Sequence, residues 1–157
     1  MLKPISITTT AAVAWPMDPA FDATQQERES CAIKMVDDVA AWKTLKVKAG
    51  EQPTVFTIGV IPASTLTLYE DQCGPRSSKM LYWLCFKRGV AGIDGYPPAW
   101  LYNEKEPPTI DPGNGMPKHL SAAWLEQHFN GQLRDCGIFV GTVIYRWQDL
   151  VGADVKN

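Results

Sequence analysis

Two histidines, His119 and His128, and four cysteines, Cys31, Cys73, Cys85 and Cys136, are the residues best suited to nucleophilic, acid–base or soft-metal chemistry. Nucleophilic catalysis needs a base within hydrogen-bond reach of the nucleophile. His128 and Cys136 are the Cys–His pair closest in sequence, and no nucleophile motif flanks them. A helix over residues 118–129 would put His119 and His128 on opposite faces, nine steps of about 100° apart. Structural zinc sites usually carry a Cys-x-x-Cys or His-x-x-x-His spacing, and neither occurs. Asp37 and Asp38 are adjacent, so on a helix their carboxylates point apart. Asp111-Pro112-Gly113-Asn114-Gly115 has the flavour of a calcium loop. It lacks the alternating oxygen ligands and closing glutamate, and so reads as a turn. Gly89, Gly92 and Gly95 follow a helical pattern, where a dinucleotide or phosphate loop would follow a strand. The expectation is a non-enzymatic protein with no catalytic residues, metal or cofactor and no small-molecule substrate.

What remains is binding. Residues 95–117 hold six of the twelve prolines, together with Tyr96, Trp100 and Tyr102, between two apolar helix-like segments. Loops this long are uncommon in compact domains and are usually functional or disordered. Proline stiffens the chain and removes donors, while aromatics offer large area at low entropic cost. That composition suits a segment laid across a protein partner. Trp15, Tyr96, Trp100 and Tyr102 are therefore the candidate partner-binding residues, with packing against their own domain as the alternative for each. A net charge of −2 gives no broad face for a nucleic acid backbone. Lys43, Lys46 and Lys48 form one small cluster, and Arg76, Lys79, Lys87 and Arg88 are scattered over a second. Both read as solvated faces. No apolar run is long enough for a membrane helix, and the start lacks the run of a signal peptide. The cysteines are irregularly spaced, which fits reduced thiols in a protein made in a cytoplasm.

These residues must be carried by a modest set of elements. Residues 1–22 read as an extended arm, with strand-forming Ile5, Ile7 and Thr8-Thr9-Thr10, and with Trp15-Pro16 and Asp18-Pro19 opposing helix. Thr24 with Glu27 makes a capping box for a helix over 24–44. Residues 43–48 and 54–61 read as a β-hairpin, the second strand bounded by Pro53 and Pro62. Ser64 would cap a short helix to about 72. A buried helix follows over 76–89, and another over 118–129 ends at Asn130-Gly131. Residues 132–151 fit helical spacing at Leu133, Cys136, Val140, Ile144 and Trp147, with strand preference at Ile138-Phe139-Val140. Their length without a turn favours helix. Gly137 and Gly141 would then share a face that lets another helix approach closely.

Three segments carry a family resemblance: Pro53-Thr54-Val55-Phe56-Thr57-Ile58-Gly59-Val60-Ile61-Pro62, Arg88-Gly89-Val90-Ala91-Gly92-Ile93-Asp94-Gly95, and the tail Leu150-Val151-Gly152-Ala153-Asp154-Val155-Lys156-Asn157. Across residues 50–157 the chain resembles small bacteriophage proteins encoded among head and tail genes, of the tail-assembly-chaperone and virion-accessory kind. The resemblance implies a non-enzymatic role and carries no functional residues over.

The resulting expectation is an α+β fold, with a small antiparallel sheet near residues 45–61 packed by four or five helices. Residues 1–22 are an extended arm, and 23–157 form one domain with a Pro/Gly-rich loop at 95–117. The expected function is that of a phage structural or morphogenesis protein, made in the host bacterial cytoplasm and retained in the virion. Its partners would be other phage structural proteins or copies of itself, with no nucleic acid and no membrane. Residues 4–10 would add to a neighbour's sheet edge. A transient tail-assembly chaperone that leaves the particle is the alternative. A small host-directed inhibitor or enzyme using the Cys136/His128 neighbourhood is a second.

Overall fold

The structure, a computed structural model, describes residues 9–95, 108–113, 115 and 117–156, with side chains as far as Asp149. The fold is α+β. Its centre is the β-branched strand β2, Val55–Gly59, whose Phe56 and Ile58 side chains are fully buried. Antiparallel partners flank it, β1 (Thr10–Ala14) with Val13 opposite Phe56, and β3 (Val90–Asp94) with Ile93 opposite Phe56. Ala91 is the extra residue where the β2–β3 register shifts between Thr57 and Ile58. A second, two-stranded piece pairs β4 (Thr109–Ile110) with β5 (His119–Leu120).

Five helices accompany the strands among the described residues: α1 (Gln25–Lys34), α2 (Ala63–Cys73), α3 (Ser78–Gly89), α4 (Ala122–Phe129) and α5 (Arg134–Lys156). The α3–α5 crossing organises the core. A Cβ on Gly137 would meet the Trp83 ring at 2.5 Å, and one on Gly141 would run into the Tyr82 carbonyl. The two glycines thus share the close-approach face that their spacing indicated. Phe56, Phe86 and Phe129 meet edge to face at 5.1–6.1 Å, joining β2, α3 and α4. Gln148 on α5 accepts from the Ile61 amide at 2.8 Å and donates to the Ile61 carbonyl, tying the exit of β2 to the long helix.

Several expectations are corrected. Residues 9–22 are no free arm. β1 pairs with the domain's own β2, Phe21 is fully buried and bridges Val47, and Asp18 is 2% exposed. Asp18 accepts from the Ala20 and Thr54 amides at 2.9 Å each. Arg28 binds the segment down by donating to the carbonyls of Pro16, Asp18, Phe21 and Ala23. Residues 1–8 lie outside the described residues. The expected 43–48/54–61 hairpin is absent because β1 and β3 occupy both edges of β2. Residues Ala41–Thr44 instead form a 3-10 turn. The first helix is capped by Thr24, whose hydroxyl accepts from the Glu27 amide at 3.1 Å, but it ends at Lys34. Asp38 accepts from the Ala40 amide and starts a new turn there. Pro62, not Ser64, occupies the N-cap of α2. The helix expected over 118–129 begins only at Ala122, capped by Ser121, because His119 and Leu120 pair with β4. Of residues 132–151, Gln132 and Leu133 close a 3-10 turn (Gly131–Leu133) and the rest lie within α5.

Candidate functional site

A cluster of cationic side chains lies along α3. Gly74, with φ of 64°, and Pro75 break the chain after α2 and place Arg76 just ahead of α3. Residues 76, 79, 80, 83, 84 and 87 recur at helical spacing and present one face. That face forms a groove of about 710 Å³ with Glu126 of α4 and Arg134 of α5. Its floor is the buried Trp83 ring, stacked on Phe86 at 5.6 Å. Arg134 sits over the same indole, 4.6 Å from its centroid, a geometry in which the ring's negative face attracts the guanidinium. Lys87 pairs with Glu126 at 3.4 Å, its side chain only 19% exposed. Arg76 and Lys79 make no ion pair among the described residues. Met80 stands at the rim, 51% exposed. Four cations thus face one carboxylate, on a chain whose net charge is −2.

Two further grooves are less concentrated. One, about 510 Å³, lies on the other flank of α3 and is acidic, with Glu70 and Asp71 beside Tyr145. Burial raises the Tyr145 phenol, and the neighbouring Glu70 carboxylate, which accepts its hydrogen bond at 3.4 Å, raises it further. The other, about 620 Å³, runs between α1 and residues 44–46 and includes Cys31. Burial raises the Cys31 thiol, which keeps it protonated and a weak nucleophile.

Of the candidate partner-binding residues, Trp15 is half-buried and packs on the core, while Tyr96, Trp100 and Tyr102 lie outside the described residues. His119 and His128 do not share a helix. His119 sits in β5 with Nδ1 2.8 Å from the Leu120 carbonyl, and burial, then Arg88, hold its imidazole below the ordinary 6.5. His128 stacks on Trp124 at 4.6 Å. Cys136 is fully buried and its thiol is pushed well above the ordinary range, so thiolate chemistry there is disfavoured. Among the described residues no three His, Cys, Asp or Glu side chains gather as a metal site. No described helix is long and apolar enough to cross a membrane. Lys46 pairs with Asp22, and Lys43 lies near the Trp42 ring, so the first lysine cluster points to no common site.

The groove was half visible in the sequence. Arg76, Lys79 and Lys87 alone read as a solvated face, but Met80, Trp83 and Leu84 fall between them at the spacing of one helical stripe. Glu126 and Arg134 carry no such signal, because only the folding of α4 and α5 brings them across. No family model, curated protein or solved structure matches this chain.

Proposed function

We propose that this chain is a non-enzymatic structural or morphogenesis protein of a bacteriophage particle, which works by docking on other proteins of that particle. The observation that carries the docking role is the cationic groove of α3, open to solvent, with an apolar floor and Met80 exposed at its rim. A surface of this kind suits a protein partner: an apolar strip excludes water while surrounding charges set orientation and partner choice. The phage assignment rests on the resemblance across residues 50–157. With residues 9–22 folded into the domain, the arm contribution narrows to residues 1–8, which precede β1 in the sequence.

Quantitative mass spectrometry of purified native particles tests the reading. The expected result is this chain at a fixed ratio to the major capsid or tail protein. Its absence from mature particles, with presence in lysate bound to a tail protein, would replace the retained component with a transient chaperone. Absence from both would end the assembly reading.

A further inference from the structure

We propose that this chain assembles with copies of itself head to tail, the acidic ridge of α1 on one copy seating in the cationic groove of α3 on the next. The inference rests on the assembly reading above and names one partner for its groove. Ile33 is 73% exposed, the highest value among the exposed large hydrophobics of the described chain. It lies opposite Cys31 and Met35, which face the core, so its own domain does not use it. Glu29 precedes it by one turn and Asp37 follows by one turn. Backbone bonds from the Asp37 and Asp38 amides to the Lys34 carbonyl carry the helical path past the end of α1.

Charge on the ridge mirrors charge in the groove. Glu29 and Asp37 are the exposed carboxylates beside Ile33, whereas Glu27 and Lys34 share the Cys31 side of α1 and the Asp38 carboxylate accepts from the Ala40 amide. The Arg28 guanidinium is turned inward on four carbonyls and contributes little outward charge. The groove inverts this pattern, four cations with Glu126. Spacing agrees as well. Glu29 and Asp37 are eight residues apart, as are Lys79 and Lys87. At 1.5 Å per helical residue Lys79 and Lys87, both within α3, stand roughly 12 Å apart, while Glu29 to Asp37 runs from α1 into the turn that follows it. Ile33 stands midway between the carboxylates, and Met80, Trp83 and Leu84 lie between the lysines. An apolar knob flanked by anions therefore meets an apolar floor flanked by cations.

The two surfaces differ, so the contact is heterologous. Each copy keeps one free ridge or groove, and growth runs to a ring if the rotation closes and to a filament if it does not. Ion pairs at such an open surface are screened by salt.

Sedimentation velocity of the full chain tests this at low ionic strength and at about 0.5 M salt, where the Debye length is only a few ångströms. The wild type is expected to form species larger than a dimer at low salt and to dissociate at high salt. Lys79→Glu and Glu29→Lys should each weaken association about tenfold or more, because each places like charges together. Ile33→Ser should weaken it with no loss of folding. An equimolar mixture of the two charge variants should re-form complexes that neither variant forms alone, since the intact ridge of one meets the intact groove of the other. Arg76→Glu, in the turn before α3, repeats the test if Lys79→Glu disturbs the helix. A monomeric wild type at low salt, association unmoved by the reversals, or a mixture that stays monomeric would each overturn the proposal. The outcome is separable from the particle measurement. A monomer found in virions sinks only this interface, and a self-assembling chain absent from virions sinks only the phage role.

Discussion

Gly141 is the residue on which the packing of the long helix turns. A methyl group there would run into the Tyr82 carbonyl of α3, whereas one on Gly137 would meet the rings of Trp83 and Phe86. A ring at the end of a side chain can move aside, but a helix backbone held by its own hydrogen bonds cannot. Gly141→Ala is therefore expected to cost about 3 kcal/mol or more by overpacking. That corresponds to a fall in Tm of roughly 6–12 °C for a domain of this size. Gly137→Ala should cost visibly less. Thermal unfolding followed by circular dichroism checks the pair, and equal losses would show that the α3–α5 distance is set elsewhere. The glycine spacing was legible in the sequence because four residues make about one helical turn. Which helix approached, and with which atoms, was not.

At the scale of elements, the sheet depends on how its edges are handled. β1 lies at one edge, and unpaired strand edges invite pairing with other chains. The Trp42 indole, from the 3-10 turn, donates to the Ala12 carbonyl of β1 at 3.0 Å. Trp42→Phe keeps most of the packing and removes this donor. The expected loss is about 1 kcal/mol, with faster amide exchange in β1 than in the central β2. Unchanged β1 protection in a hydrogen-exchange experiment would show that the indole does not hold the edge. The hairpin expected from residues 43–48 failed for a related reason. Alternation made Lys43–Lys48 look like a strand, but strand identity depends on an available partner edge. Here β1 and β3 had taken both edges of β2.

For the whole molecule, buried titratable groups shape the response to pH. Burial, and secondarily Arg88, hold His119 below its ordinary 6.5. The fold thus favours the neutral ring, and its contribution to stability is present above about 6.5 and lost as pH falls. The thiols act in the opposite direction. Burial pushes Cys85 up to about 12 and raises Cys136 well above the ordinary 9.0. Their contribution is complete below about 9 and declines as pH climbs towards 12. Urea midpoints measured across pH should therefore plateau between about 6.5 and 9 and fall on both sides. His119→Gln should flatten the acid limb just below 6.5. An unaltered limb would show that other groups govern it.

The sequence by itself determined the local signals. Val55–Gly59 forms a strand because β-branched residues lie between prolines, Thr24 caps α1 because its hydroxyl reaches the Glu27 amide, and the apolar period of 78–89 makes a buried helix. These depend on neighbours within a few residues, where spacing and propensity speak directly. Tertiary structure alone decided which strands flank β2, and why residues 9–22 are core rather than arm. It also decided how Arg134 and Glu126 join three scattered cations into one groove. Those outcomes depend on contacts between segments tens of residues apart, where many pairings satisfy the local pattern equally well. Only simultaneous burial of Phe21, Phe56, Phe86 and Phe129, with the polar groups of Asp18 and Gln148 satisfied, selects among them.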